Sequence, residues 1–329
     1  MRRLFAAALT ASFVLAPGCR PKSASGQEWM RTIPAGCQVA FSAEAKWLLE
    51  NKDFQRTLAR SPLAEQALDL FLGKARISPH LETGHITFFV MTPPSLDPKR
   101  PEALTRAFLI RLSGFKNPQN LYLALAESFP QEGSLVVGGK ELALHVILDL
   151  NQVHLRALAE ANGTTWIGDV GTLAALAAAT APAPRGALAR AAEWMNPKAP
   201  FQGFIMTESL MAQIPKHKLP PEWTAELPQG LEALAWSIDP AVDGKGAHRV
   251  ELAVAGKPEG VSQTVPWLQR LVAISNTLDP QNKQTAELVQ EKDRAGIRCA
   301  LSQDQLNSLM NRLGQPPIRL GAHPGLPKA

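Results

Sequence analysis

The chain has 329 residues, more than the roughly 100–200 residues of a usual single domain, so we expect one large or two moderate domains. Its 45% hydrophobic and 19% charged residues are typical of a globular protein and exclude wholesale disorder. The net charge of +5 is small, and the basic residues are scattered without a cluster, so nucleic acid is not expected as a partner.

The N-terminus has the pattern of an export signal. Met1–Arg3 is short and positive, and the apolar segment from Leu4 to Ala16 has the length of a signal-peptide core. This segment is too short for the ~20 residues that a membrane-spanning helix needs. Residues 16–19, which begin at the last residue of this segment, read Ala-Pro-Gly-Cys, so the cysteine is Cys19.

This segment resembles the lipobox of bacterial lipoprotein precursors, in which a small residue precedes an obligatory cysteine. The resemblance covers only the first twenty residues. It implies cleavage after Gly18, diacylation of the Cys19 thiol and attachment to a lipid membrane. By the same resemblance, Arg20 in place of an aspartate indicates the outer membrane, facing the periplasm. The alternative is ordinary cleavage after Ser25, which would release a secreted or soluble periplasmic protein.

We expect an α+β fold of two tandem similar units, each a mostly antiparallel sheet with helices packed on one face. A Pro- and Ala-rich linker at 180–186 separates the units. The predicted layout is a signal peptide at 1–18, the lipidated cysteine and a flexible tether at 19–32, the first unit at 33–180, the second unit at 187–313 and a disordered tail at 314–329.

In the first unit, alternating apolar residues predict seven strands and helical spacing predicts four helices. The predicted strands are Gly36–Phe41, His85–Met91, Arg106–Leu112, Leu135–Val137, Glu141–Leu148, His154–Ala159 and Thr164–Ile167. The predicted helices are Ser42–Arg60, Leu63–Leu72, Leu121–Phe129 and Thr172–Ala179, the last capped by Asp169.

The second unit repeats the order of strands, helix, hairpin and capped helix. Its predicted strands are Phe201–Met206, Leu231–Ile238, His248–Val254, Thr285–Lys292 and Gly296–Leu301. Its predicted helices are Val265–Ile274, with Pro266 in the first turn, and a last helix from the capping box at Ser302 and Gln305 to Leu313.

Two cysteines remain when Cys19 is acylated. Cys37 and Cys299 both lie in apolar segments that are typical of strands. They are either two buried thiols that pack as small hydrophobic groups or a disulfide that joins the first strand to the last. Neither has a second ligand at a spacing typical of zinc sites, so no metal and no cofactor is expected.

The sequence contains none of the common catalytic or nucleotide-binding motifs. His145, Asp149 and His154 could meet across adjacent strands, with the carboxylate orienting an imidazole. The alternative is that all three are ordinary polar positions of strands. His85 and His248 are expected at the surface.

These observations predict a membrane-anchored envelope lipoprotein with a non-catalytic binding or scaffolding role. Its expected partners are the lipid membrane, through acylated Cys19, and an envelope protein or polymer. The alternatives are a hydrolase that acts on envelope polymers and a subunit of an export or assembly apparatus. The lack of reactive motifs argues against an enzyme.

Overall fold

A computed structural model describes the folded body but leaves out the signal segment, the expected tether and the tail. The described residues are 33–34, 37–46, 73, 84–91, 108–115, 117–137, 139–150, 153–160, 162–178, 186–207, 230–239, 248–278 and 286–301. The predicted linker before Gly186, the helix at 63–72 and the helix that follows Ser302 therefore lie outside the described residues, as does Cys19.

Twelve strands form one open antiparallel sheet. They are β1 (Cys37–Glu44), β2 (His85–Met91), β3 (Phe108–Ser113), β4 (Gln131–Val137), β5 (Lys140–Leu150), β6 (Val153–Ala159), β7 (Thr165–Gly168), β8 (Phe201–Met206), β9 (Leu231–Asp239), β10 (His248–Gly256), β11 (Glu287–Gln290) and β12 (Arg294–Leu301). The order across the sheet is β11-β12-β10-β9-β8-β1-β2-β3-β7-β6-β5-β4. Both expected units thus contribute to a single sheet, and they meet where β1 pairs with β8.

Four helices are described, and they cover both faces of the sheet. They are α1 (Pro118–Ser128), α2 (Val170–Ala178), α3 (Ala187–Ala192) and α4 (Pro258–Leu278). Leu121 of α1 and Leu268 of α4 belong to one apolar cluster. Leu173 of α2 and Leu188 of α3 belong to another. Because side chains alternate between the faces of a strand, these clusters lie on opposite sides of the sheet, here called the α1/α4 face and the α2/α3 face.

The expectation of helices on one face is therefore wrong for the described helices. The coarser expectation holds, since the body is mostly antiparallel sheet with few helices and is compatible with an α+β fold. The central strands are buried on both faces, as β9 shows, and so lack the alternation of apolar and polar residues that marks a one-sided sheet. No helix in the described ranges is long and apolar enough to cross a membrane.

Most predicted strands are confirmed, two of them residue for residue: His85–Met91 and Phe201–Met206. The helix predicted from Ser42 begins too early, because β1 continues to Glu44. The helix predicted from Val265 begins too late. It starts at Pro258, and Pro266 lies inside it on an exposed side.

A close contact between β8 and β9 fixes their spacing. Gly203 pairs with Trp236, which is 1% exposed, and a Cβ added to Gly203 would overlap the indole ring. The glycine is therefore required to accommodate the largest side chain of the core.

We predict that Gly203→Ala destabilises the fold by about 1–3 kcal/mol, because the added methyl group overpacks the core. Urea unfolding measures this change. Gly133→Ala is the matched control, since a Cβ there would meet nothing within 4 Å, and it should change stability by less than about 0.5 kcal/mol. Equal effects of the two variants would contradict the packing argument.

Candidate functional site

The structure keeps the two cysteines of the body apart. Cys37 lies on β1 and Cys299 on β12, with β8, β9 and β10 between them, a separation of about 19 Å at ~4.8 Å per strand. A disulfide needs Cα atoms within about 7 Å, so the disulfide alternative is wrong and both thiols are free and buried. Burial raises the pKa of both thiols, that of Cys299 to about 12.

Only two members of the predicted polar cluster come together. Asp149 and His154 pair directly across β5 and β6, and the His154 imidazole bonds the Asp149 carboxylate. His145 pairs with Ala157, which belongs to the cluster on the α1/α4 face, and its Nδ1 lies 3.0 Å from the Phe129 carbonyl oxygen. His145 is thus buried on the opposite face of the sheet.

A β-bulge explains this separation. In a regular strand, residues four apart share a face, which is why His145 and Asp149 were expected together. The pairing of β5 with β6 shifts between Val146 and Leu148, so one extra residue is inserted. The insertion moves everything beyond it to the other face of the sheet. No signal in the sequence marks this bulge.

Arg156 and Glu132, which sequence reasoning missed, join Asp149 and His154. The Arg156 side chain is 6% exposed and forms ion pairs with Glu132 and, at 3.4 Å, with Asp149. Glu132 sits at a second bulge, where the pairing of β4 with β5 shifts between Gln131 and Gly133. The two bulges direct side chains of β4 and β5, Glu132 and Asp149, toward the guanidinium of Arg156 on β6.

Hydrogen bonding and charge set the ionisation of this cluster. The hydrogen bond from His154 is the main cause that lowers the pKa of Asp149, and Arg156 adds to it. Glu132 and Asp149 together raise the pKa of Arg156. Three of the four side chains are about half exposed, so the cluster ties β4, β5 and β6 together at the surface, where ion pairs contribute little stability.

A second arrangement, larger and buried, crosses the α2/α3 face of the sheet. Seven strands each place one polar residue at the same level, and we call this set the polar row. Its members, in sheet order, are Arg298, Glu251, Ser237, Gln202, Ser42, Thr87 and Arg111. All except Arg298 are at most 4% exposed. Beyond Arg111 the row ends at the indole of Trp166, 5.4 Å from the guanidinium.

Glu251 is the most heavily bonded member of the polar row. One carboxylate oxygen accepts from the Ser237 hydroxyl at 2.8 Å and from the Asn196 backbone N–H. The other lies 2.9 Å from Arg249 and 3.3 Å from Arg298. Two hydrogen-bond donors and two arginine side chains, from three strands and the connection before β8, therefore converge on one buried carboxylate.

The rest of the row is bonded to its surroundings as well. The Gln202 amide donates to the carbonyls of Pro197 and Ala199 at 3.0 and 2.9 Å, which fixes the segment between α3 and β8. The Ser42 and Thr87 hydroxyls are 2.9 Å apart. These contacts make the polar row a structural network that holds the strands and the segment between α3 and β8 in place.

His85 is the first residue of β2 and lies near the polar row, on the same α2/α3 face of the sheet. Burial, with a smaller contribution from the Arg111 charge, lowers the pKa of His85 to about 4, so the imidazole is neutral at pH 7. His248 is 3% exposed. The expectation of a surface position is therefore wrong for His248, whereas His85 is half-buried.

Within the described ranges, no three His, Cys, Asp or Glu side chains are grouped so that they could hold a metal ion. No protein-family model, curated protein or solved structure matches the chain. Any functional conclusion therefore depends on the residues and geometry of this protein alone.

We predict that Glu251→Ala costs about 3–5 kcal/mol of unfolding free energy, because it leaves buried donors and the Arg298 charge without their acceptor. Glu287→Ala is the matched control: Glu287 is exposed and pairs with the same Arg298 from the other side. It should cost less than about 0.5 kcal/mol. Chemical unfolding compares the two variants, and similar losses would mean that Glu251 does not organise the row.

We also predict that the Asp149 carboxylate titrates below the usual aspartate pKa of about 3.9 and that His154→Ala raises its midpoint toward that value. Since the pKa is depressed in the folded state, Asp149 stabilises the fold above about pH 4, and this contribution disappears as the pH falls through the lower folded pKa. NMR of the carboxyl carbon follows the titration. An unchanged midpoint in the variant would contradict the assignment to His154.

Proposed function

We propose that the protein is a lipid-anchored lipoprotein of the bacterial envelope that binds or scaffolds another envelope component without catalysis. The observation that supports this best is the apolar segment from Leu4 to Ala16 followed closely by Gly18 and Cys19. Two acyl chains on Cys19 would make attachment effectively permanent, whereas one chain is marginal. The proposed location is the outer membrane, facing the periplasm, and the proposed partners are the bilayer and an envelope protein or polymer.

The described body supports a role without chemistry. The hydrolase alternative rested on His145, Asp149 and His154, and His145 lies on the other face of the sheet from the pair. Asp149 is bonded to His154 and Arg156, and the buried Glu251 is surrounded by donors. Both carboxylates therefore have partners within the fold.

The form of the two edge strands favours a scaffolding role over that of a subunit which joins other subunits by strand addition. Of the two edge strands in the described part, β11 has four residues and β4 carries the bulge at Glu132. Short and bulged edges are the usual means by which proteins block strand pairing. A partner is therefore expected to dock on side chains.

We further propose that the body arose as two similar tandem units. In each half, three antiparallel strands lead to a helix on the α1/α4 face, and the last strand of the half pairs with its third strand. The first strands, β1 and β8, pair antiparallel around Phe41 and Gly203, as a two-fold axis between halves would require. The first half has two more closing strands than the second.

We predict that the protein partitions into detergent and that Cys19→Ala transfers it to the aqueous phase, because the substitution removes the acylated thiol. Phase partition of whole cells in a cloud-point detergent measures this. Cys37→Ala is the control, since Cys37 is buried in the body, and it should leave the protein in the detergent phase.

Crosslinking in the same cells tests the scaffolding role. The anchored protein should give discrete crosslinked products with envelope components, and the Cys19→Ala variant should lose them. An unmodified protein that stays in the aqueous phase would contradict the anchor, and a detergent-phase protein that crosslinks to nothing would contradict the role.

A further inference from the structure

The anchor and the body are joined at the middle of the sheet. Ile33 packs against the apolar cluster of the α2/α3 face, and Pro34 is buried and accepts the Cys37 backbone N–H at 3.2 Å. The chain is thus fixed to the body from Ile33, immediately before β1. In the order of twelve strands, β1 is the sixth, so the attachment point is far from both edges.

The two ends of the sheet are distinct because every pairing is antiparallel. We call the end at which β1 begins the proximal end. The β5–β6 connection after Leu150 and the β11–β12 turn with Lys292 lie there. The β4–β5 turn with Lys140 and the β6–β7 turn with Asn162 lie at the opposite, distal end.

Chain length relates these ends to the bilayer. Fourteen residues lead from Cys19 to Ile33, and such a stretch reaches at most about 50 Å, while an unstructured chain of this length averages about 20 Å. The strands are up to eleven residues long, so the sheet is roughly 30–35 Å high. With the distal end toward the membrane, the chain would have to extend past the whole body.

We propose that the proximal end of the sheet faces the lipid bilayer and that the distal end projects away from it. This inference depends on the proposed acylation of Cys19. Because the chain from Cys19 joins the body near the middle of the sheet, neither edge strand is held closer to the membrane than the other. The strands therefore stand roughly upright on the membrane. The surface offered to an envelope partner is then the distal end.

The charges of the described residues do not supply this orientation. The exposed side chains beside the proximal turns include Lys257 and Lys292 but also Glu259 and Glu291. Among the described residues at this end, basic and acidic side chains are therefore balanced, and they provide no cluster of basic residues of the kind that anionic lipid attracts. The orientation therefore follows from the length and attachment point of the chain and is the same on neutral and anionic membranes.

The experiment compares spin labels at two exposed lysines in hairpin turns at opposite ends, introduced as Lys292→Cys and Lys140→Cys in the full acylated protein. Cys37 and Cys299 are buried with raised pKa values and do not compete for the label. The protein is reconstituted on the outside of phosphatidylcholine vesicles that contain a lipid with a gadolinium-chelate headgroup. Relaxation enhancement of each nitroxide then reports its distance from the membrane surface.

The expected result is an enhancement several-fold larger at residue 292 than at residue 140, unchanged when phosphatidylglycerol is added. Equal enhancements, the reverse order, or an order that appears only with the anionic lipid would overturn the inference. Flotation of the vesicles separates the two proposals. A protein that fails to float contradicts acylation itself, whereas one that floats with equal enhancements contradicts only the orientation.

Discussion

The buried carboxylate of Glu251 and the row of polar groups around it impose one register on the central strands of the sheet. A shift of a strand by one residue would turn its polar member to the opposite face, among apolar side chains. The adjacent level on the same face shows the contrast, since Phe204, Ala40 and Phe89 pair there and are all fully buried. Because the row crosses the β1–β8 junction, the same constraint aligns both halves of the chain.

Local sequence patterns predicted most of the strands of the fold, but they did not predict which polar side chains would meet. His85–Met91 could be predicted because it is a short segment rich in aromatic and β-branched residues. The short α3 could not, since six residues show too little periodicity. The polar row, from Ser42 to Arg298, exists only because the pairing registers of successive strands place these residues at the same level, and a single sequence does not reveal those registers. The one available signal was a single polar residue within an apolar strand, as with Arg111 in β3. The bulge after Val146 likewise decided which predicted site residues meet.

The proposed function and the fold depend on different parts of this chain. The proposed anchor depends on the residues up to Cys19, whereas the body depends on long-range pairing of strands. The described polar groups mostly serve that pairing: Glu251 and Gln202 hold the segment before β8, and Arg156 holds the bulged strands. On the proposed membrane anchor, such a sheet would present a surface to a partner.

The proposed anchor requires that fatty acid is attached to the thiol of Cys19 after the preceding residues are removed. Intact-mass analysis of the mature protein extracted from membranes tests it most directly, with fragmentation to locate the modification. We expect an N-terminal residue 19 that carries a diacylglyceryl group on sulfur. A mature chain that begins at Gly26 without any lipid would contradict it.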